Sequence, residues 1–183
     1  MTKPHPKPAS RLRPRILLFT GDGKGKTTAA LGLAVRAVGH GMRACIIQFI
    51  KSSATGEQQA AAALGNLEIV QTGQGFLPPS DDPRFCIHTA AARHGLELAR
   101  ERIASGQYGV VVLDEVCVAV AHGLLTCAEI ADAVAQAGAK TVIVLTGRGA
   151  TRELKDLADT VTEMRCVKHG YDQGIKAQKG VEY

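Results

Sequence analysis

The sequence of 183 residues contains no tryptophan, and aromatic residues amount to only 4% of it. It has no apolar run of the roughly 18 residues that a membrane-spanning helix requires, and its first residues lack the apolar core of a signal peptide. Hydrophobic residues make up 45% and charged residues 21%, which is typical of a folded, soluble chain. We therefore expect a cytoplasmic protein without a membrane partner.

The cysteines give no sign of a disulfide framework or a zinc site. There are five of them, scattered along the chain, and no two form a C-x-x-C pair. Cys86 and His88 lie two residues apart, but no second pair stands at ligand spacing. Reduced thiols are therefore expected, as in cytoplasmic proteins.

Acidic residues are absent from residues 1–15, which contain Lys3, Lys7, Arg11, Arg13 and Arg15. Without these five, 17 basic residues face 17 acidic ones, so the net charge of +5 comes from this segment. The neutral remainder argues against a nucleic-acid partner. Together with the prolines in the same stretch, the pattern predicts a flexible arm over residues 1–14 and a single domain over 15–183. A flap that orders over an anionic substrate and, third, nucleic-acid binding are the alternatives for the arm.

From residue 15 onward, short apolar runs alternate with segments of helical periodicity, which predicts a parallel sheet with helices on both faces. In the first helix, Ala29, Leu33 and Ala37 predict a stripe of small residues against the sheet. A long loop is expected over 76–85. The predicted strands are 16–19, 44–49, 67–71, 109–113, 141–145 and 161–167, and the predicted helices are 26–38, 57–63, 90–104, 126–137 and 151–158.

A glycine-rich segment between the first strand and the first helix predicts a phosphate-binding loop. Backbone N–H groups of such a loop and of the following helix start can hold a polyphosphate, a lysine can reach the phosphates, and a threonine hydroxyl can bind Mg²⁺. The usual first glycine is replaced by threonine here, and Lys24 fits either a phosphate contact or a solvated side chain. The residues are Thr20, Gly21, Asp22, Gly23, Lys24, Gly25, Lys26, Thr27 and Thr28.

Two further strand ends carry candidate residues. The apolar run 110–113 leads into Asp114 and Glu115, where proteins with a phosphate-binding loop place an acid beside Mg²⁺. Spacing alone does not decide which of the two carboxylates meets the metal. The strand 141–145 leads into a Thr-Gly-Arg-Gly turn, in which Arg148 faces either the nucleotide or a surface carboxylate.

Taken together, these motifs resemble the P-loop type of ATP:corrinoid adenosyltransferase. The resemblance covers residues 16–183 and includes the shortened loop itself. It rests on the glycine-rich segment 20–30, Arg36-Ala-Val-Gly-His-Gly, Gln48-Phe-Ile-Lys, the Leu-Asp-Glu strand end, Leu-Thr-Gly-Arg-Gly and the C-terminal stretch from Ala158 onward. The resemblance implies a P-loop NTPase-like (RecA-like) three-layer fold with a mostly parallel sheet of about six strands.

The resemblance also implies a reaction: transfer of the 5′-deoxyadenosyl group of ATP to Co(I) of a reduced corrinoid, with release of tripolyphosphate. Residues 20–28 would then hold the triphosphate, with Lys26 and Thr27 as catalytic groups. Thr27 and Glu115 would surround Mg²⁺ or Mn²⁺, with Asp114 supporting them. Cobalamin, cobinamide and cobyrinic acid diamide all remain possible acceptors.

The same family uses an aromatic pair to remove the lower ligand of Co(II), and this sequence matches that pair only in part. Phe76 matches the first aromatic residue, whereas Pro78 stands at the place of the second. Either another residue, with Phe85 as the candidate, serves instead, or removal of the lower ligand is less complete. The family further implies a homodimer and an electron donor such as a reduced flavoprotein. A helical N-terminal lid is not expected, because this chain has only the proline-rich arm.

Two other functions fit the motifs taken without the resemblance. In a nucleotide hydrolase or small-molecule kinase, Glu115 would position water or an acceptor hydroxyl. A regulatory ATP-binding module would bind the nucleotide without turnover. The products separate them, because adenosyl transfer leaves tripolyphosphate intact.

Overall fold

The computed structural model describes residues 13–181, in which six parallel strands form one sheet surrounded by helices. The strands are β1 (Arg15–Thr20), β2 (Ala44–Gln48), β3 (Leu67–Gln71), β4 (Val110–Asp114), β5 (Val142–Thr146) and β6 (Thr160–Glu163). The helices are α1 (Lys26–Gly39), α2 (Gly56–Leu64), α3 (Phe85–Ala104), α4 (Val116–Ala121), α5 (Cys127–Ala135) and α6 (Arg152–Leu157), followed by a 3-10 turn at Gly170–Gln173.

The strand order in the sheet is β3-β2-β4-β5-β1-β6, so β5 lies between β1 and β4. Because all pairs are parallel, the carboxyl ends of all six strands lie at one edge. This edge therefore receives the phosphate-loop segment, the pair Asp114-Glu115 and the turn that carries Arg148. The parallel sheet of about six strands, predicted from the sequence, is confirmed.

Apolar side chains of the strands alternate between two cores, one on each face of the sheet. Leu17, Ile46 and Val112 pack with α1 and α2, whereas Leu18, Ile47 and Leu113 pack with α3, α5 and α6. Helices on both faces are thereby confirmed, and the fold has the three layers expected of the P-loop class. On α1 the fully buried positions are Ala30, Ala34 and Ala37. The predicted stripe was therefore wrong by one residue at two of its three positions.

Three elements differ most from the sequence prediction. β6 ends at Glu163, because Met164 turns toward the phosphate loop instead of continuing the strand. All four residues of β6 are exposed. α3 begins at Phe85, five residues before the predicted start at 90. α4 was not predicted, since Val116–Ala121 continues the apolar run of β4 without a periodic pattern.

At the amino end of the sheet, opposite the edge described above, Glu68 collects several donors. Arg102 Nη2 lies 2.9 Å from Glu68 Oε1, and the Tyr108 hydroxyl donates to Glu68 Oε2. The Arg43 guanidinium lies 4.9 Å from the centroid of the Tyr108 ring. This cluster links β3, α3 and the residues before β2 and β4.

The predicted arm lies almost entirely outside the described residues. Within them, Arg13 forms an ion pair of 2.7 Å with Asp159, just before β6. No helix in the range 13–181 has the length and apolar character to cross a bilayer.

Candidate active site

The glycine-rich segment connects β1 to α1 at the carboxyl edge of the sheet. Gly21 has φ 94° and Gly25 has φ 118°, a region of backbone conformation that glycine adopts without a Cβ penalty. Gly25 is the N-cap of α1, so Lys26, Thr27 and Thr28 form the first turn. The unpaired N–H groups and the positive dipole end of this turn point to the same space, which suits a polyphosphate.

The chain after β6 lies directly against this loop. Gly23 N–H donates to Met164 O at 2.7 Å, and Met164 N–H donates to Thr20 O at 2.8 Å. A Cβ at Gly21 would lie 2.4 Å from Met164 O, and one at Gly23 would lie 2.7 Å from Arg165 O. Gly21 and Gly23 therefore serve the packing of loop against C-terminal segment, and Gly23 N–H is already engaged.

Lys26 lies across the mouth of the loop. Its Nζ donates to Gly21 O and Gly23 O, each at 2.7 Å, which leaves a third N–H for another acceptor. Burial lowers the pKa of Lys26, and the positive charge of Arg148 lowers it further, against the opposing effect of nearby carboxylates. Lys26 and Arg148 both line the cavity described below.

Asp114, at the end of β4, is completely buried and accepts three side-chain hydrogen bonds. Thr27 Oγ1 donates to its Oδ1 at 2.8 Å, Thr146 Oγ1 to the same oxygen at 2.7 Å, and Gln48 Nε2 to its Oδ2 at 3.1 Å. Thr146 takes part because β5 lies between β1 and β4. Asp114 is thus held within the protein and supports Thr27.

Glu115 has φ 62° and is the only residue other than glycine with positive φ in the range 13–181. Such conformations are costly for a glutamate and concentrate at functional sites. The backbone N–H of Glu115 donates to Thr146 Oγ1 at 2.8 Å, which fixes the turn. Burial raises the pKa of the Glu115 carboxyl, as does the charge of Asp114. The turn directs Glu115 away from the core and toward an open cavity.

That cavity has a volume of about 880 Å³ and lies over the phosphate loop. Residues 23–28 line it, together with Lys51, Glu57, Glu115 and Arg148. Its cationic side chains are Lys24, Lys26, Lys51 and Arg148, against the carboxylates of Glu57 and Glu115, and Lys51 Nζ lies 3.7 Å from Glu57 Oε1. Positive charge is in excess, so the wall is suited to a polyanion. His169, Gly180 and Val181 bring the C-terminal segment to the same cavity, and Lys24 Nζ donates to Val181 O at 2.8 Å.

Arg148 reaches the cavity because Gly147 permits a tight approach of the turn to α4. Gly147 has φ 134°, and a Cβ there would lie 2.9 Å from Cys117 Cβ. Its N–H donates to Phe19 O at 3.1 Å, which ties the turn to β1. Arg148 therefore faces the cavity over the phosphate loop.

The loop after β3 forms the far rim of the cavity. Phe76 is fully exposed, at 102%, and Leu77 next to it is half-buried; both line the large cavity and also a neighbouring one of about 470 Å³. Phe85, in contrast, packs against the core as the first residue of α3 and lines neither of these cavities. Leu77 is therefore better placed than Phe85 to accompany Phe76.

Known proteins resemble this chain over most of its length. A sequence profile described as ATP:corrinoid adenosyltransferase BtuR/CobO/CobP matches residues 13–183. The chain belongs to this family. It is 42% identical over 171 residues to Corrinoid adenosyltransferase CobA of Salmonella typhimurium strain LT2, an alignment that covers 92% of this chain and 85% of that protein.

Two further relatives give the same result. Over 168 residues the chain is 38% identical to the corrinoid adenosyltransferase of Escherichia coli strain K12, with 92% of this chain and 85% of the relative aligned. Over 170 residues it is 39% identical to that of Pseudomonas aeruginosa strain PAO1, with 92% and 83% aligned. The adenosyltransferase therefore uses ATP and a corrinoid, as the sequence resemblance implied.

Most of the predicted site residues of the adenosyltransferase line the cavity, but four do not. Gly23 to Thr28, Phe76, Glu115 and Arg148 line it, and buried Asp114 lies behind Thr27. Thr20, Gly21 and Asp22 do not line it. Thr20 and Gly21 support the loop through their carbonyl groups, and Asp22 acts on the pKa of Lys26 through its charge.

Several cavity residues of the adenosyltransferase were not predicted as site residues. Lys51 and His169 belong to motifs that carried the family resemblance, so a signal for them existed. Glu57 is in the first turn of α2 and His122 caps α4, where no motif marks them. Gly180 and Val181 reach the cavity only because the C-terminal segment folds back.

Proposed function

We propose that the cavity over the phosphate loop binds ATP with its triphosphate on residues 23–28, and that the corrinoid approaches from the Phe76 rim. The electron pair of Co(I) attacks C5′ of ATP, the Co–C bond forms and the C5′–O bond breaks. The electron pair of that bond leaves with tripolyphosphate. The observation that carries this proposal is a single cavity with a cationic wall at one end and an exposed aromatic side chain at the other.

Charge stabilisation is the main task of the protein in such a reaction. Negative charge gathers on the departing triphosphate, and donors already placed around it lower the barrier without reorganisation. Lys26 supplies its third N–H, and Arg148 and Lys51 supply further positive charge from other walls. Holding C5′ in line with the attacking metal is the second task.

A divalent cation fits beside Thr27. Mg²⁺ is commonly held by one or two protein oxygens, with phosphate oxygens and water as the other ligands. In the range 13–181 no group of three or more His, Cys, Asp or Glu side chains is placed to hold a metal. A metal site formed by such protein ligands alone is therefore not found among these residues. Thr27 and Glu115 would hold the ion, and Asp114 would orient Thr27. When bound, Mg²⁺ would neutralise charge on the triphosphate.

Phe76 is the proposed corrinoid-side residue. Its complete exposure leaves the ring free to pack against a flat apolar face, and Leu77 supplies an adjacent apolar surface. We propose that this contact displaces the lower ligand of Co(II) and so makes reduction to Co(I) easier. An electron donor such as a reduced flavoprotein would supply the electron.

Other expectations from the sequence remain proposals. A homodimer is one, and the exposed apolar side chains Val167 and Tyr171, at 91% and 80%, give it some support. A cytoplasmic location, the flexible arm over 1–14 and the single catalytic domain over 15–183 are others. Sedimentation of the purified protein at several concentrations would test the dimer.

An anaerobic assay tests the proposed function directly. The protein is incubated with ATP, Mg²⁺ and chemically reduced cob(I)alamin, the corrinoid spectrum is followed and tripolyphosphate is measured. We expect a light-sensitive alkylcorrinoid and an equal amount of tripolyphosphate. Release of phosphate alone would support hydrolysis and contradict the proposal. Repeating the assay with cobinamide and cobyrinic acid diamide would identify the preferred acceptor.

A further inference from the structure

Gln48, the last residue of β2, is a buried polar side chain to which the mechanism above gives no role. It is only 2% exposed and begins the Gln-Phe-Ile-Lys motif. Its Nε2 donates to Asp114 Oδ2 at 3.1 Å, and its Oε1 accepts from Gln71 Nε2 at 2.9 Å. A buried amide with both ends bonded is a specific connection between two strands.

The orientation of this amide is dictated by its neighbours. An ionised carboxylate only accepts hydrogen bonds, so Gln48 must present its NH₂ group to Asp114 and its carbonyl to Gln71. Gln71 Nε2 also donates to Ser53 O at 3.0 Å, and a backbone carbonyl likewise only accepts. The donor and the acceptor of every hydrogen bond in the series from Ser53 through Gln71 and Gln48 to Asp114 are therefore determined. Beyond Asp114 the series continues to Thr27.

The backbone around Gln48 also anchors the loop that carries Phe76. Thr72 N–H donates to Gln48 O at 3.1 Å, and Gly75 N–H donates to Ile50 O at 2.8 Å. A Cβ at Gly73 would lie 2.0 Å from the carbonyl carbon of Ile50, so this approach requires glycine. Residues 48–50 thus touch both the support of Thr27 and the start of the Phe76 loop.

We propose that Gln48 is a positioning residue for adenosyl transfer. Its amide holds Asp114 toward Thr27 and, through Gln71, holds the segment of Ser53, which follows Lys51. The side chain thereby keeps the triphosphate end of the site in register with the corrinoid-side loop. The inference rests on the metal site proposed above, because Thr27 is the group through which Gln48 acts. Partners that orient a metal ligand commonly change metal affinity by roughly 10- to 100-fold when removed.

The test measures ATP binding by calorimetry as Mg²⁺ is varied, so that no corrinoid chemistry is involved. Gln48→Met keeps the length of the side chain and removes both hydrogen-bonding groups. Because Gln48 acts on Thr27 through Asp114, we expect the Mg²⁺ concentration at half-maximal ATP binding to rise by up to about 10-fold, and ATP binding in EDTA to stay the same. Gln71→Met leaves Asp114 bonded to Gln48 and Thr27, so its shift should be smaller.

Thr141→Val is the matched control. Thr141 is also buried, and its Oγ1 donates to Tyr108 O at 3.2 Å, but at the amino end of β5. The Thr141→Val variant should have lower thermal stability but the same Mg²⁺ concentration at half-maximal ATP binding. This result would separate a positioning role of Gln48 from general support of the fold.

The two failures can be told apart. An unchanged midpoint in Gln48→Met, with a clear Mg²⁺ effect in the unsubstituted protein, would overturn the role of Gln48 alone. If Gln48→Met does not fold, an unchanged midpoint in Gln71→Asn and Gln71→Met would overturn the chain of amides. Equal ATP binding with and without Mg²⁺ in the unsubstituted protein would overturn the metal site itself and this inference with it.

Discussion

Thr27 and Asp114 are joined by a hydrogen bond of 2.8 Å, although the two strands that lead to them are separated by β5. Thr146 of β5, the strand between them, donates to the same carboxylate oxygen. The threonine proposed as a metal ligand is therefore held by a buried carboxyl group that does not itself reach the cavity. Several consequences of this arrangement can be measured.

Replacement of the Thr27 hydroxyl should damage transfer more than it damages the fold. Thr27→Val removes both the proposed metal ligand and one donor to Asp114, so we expect kcat/KM for ATP to fall by about 100-fold. Thr27→Ser retains the hydroxyl and should lose much less. Steady-state rates at saturating cob(I)alamin would measure this, and equal losses in the two variants would exclude a role for the hydroxyl.

Two glycines in the same region should respond to alanine with opposite signs. Gly21→Ala places a Cβ 2.4 Å from Met164 O at positive φ, so we expect a loss of about 1–3 kcal/mol of unfolding free energy. Gly32 lies exposed inside α1 with no neighbour near its added Cβ. Gly32→Ala should therefore stabilise the protein by about 0.5–1 kcal/mol. Urea unfolding would measure both, and stabilisation by Gly21→Ala would contradict the described packing.

Phe76→Ala should separate reduction from alkyl transfer. Because the ring is exposed, its removal should leave the thermal midpoint unchanged. We expect the rate that starts from cob(II)alamin and a reductant to fall far more than the rate with prereduced cob(I)alamin. Phe85→Leu, at a partly buried side chain packed against the core, is the comparison that should change stability instead. Equal losses of the two rates in Phe76→Ala would rule out the proposed role.

Glu68 should make the protein sensitive to acid without touching the site. Burial opposes ionisation of Glu68, but hydrogen bonds from Arg102 and Tyr108 outweigh it and hold the pKa of the carboxyl below its ordinary value of 4.5. A carboxylate with a lowered pKa stabilises the fold above pH 4.5, and this contribution is lost as the pH falls through the pKa of the folded state.

Glu68→Gln removes that contribution. The decline of unfolding free energy with falling pH should be shallower below about pH 4.5 in the variant than in the unsubstituted protein. At neutral pH the variant should be less stable, and its kcat should be unchanged because Glu68 is at the amino end of the sheet. An identical acid profile in both proteins would show that the cluster is not linked to folding.

The sheet could be predicted well from the sequence, because parallel strands buried on both faces consist of continuous apolar residues. β2 to β5 lie within a residue or two of their predicted bounds for that reason. The end of β6 was predicted wrongly. The apolar residues in 161–167 belong partly to an exposed edge strand and partly to the segment that packs on the phosphate loop. In α1, helical periodicity does not decide whether Ala29 or Ala30 faces the sheet, because that depends on how the helix is placed against the sheet.

The site was predictable only where local chemistry marks it. Gly25 to Thr28 and Asp114-Glu115 belong to motifs that follow a strand, where proteins of this class bind a phosphate or a metal. Glu57, His122 and Val181 come to the cavity through packing between distant segments. Spacing alone did not distinguish Asp114 from Glu115, and the family resemblance proposed Glu115 for the metal; the structure adds that Asp114 is buried and that Glu115 has positive φ.

The contacts of residues 164–181 with the phosphate loop also set an order of events during synthesis. The loop is made early, yet Met164 and Val181, which engage Gly23 and Lys24, leave the ribosome long afterwards. A nascent chain that ends before β6 carries the phosphate-binding motif without the wall that braces it. Competence to bind nucleotide should therefore arise late in translation, after the sheet has gained its edge strand.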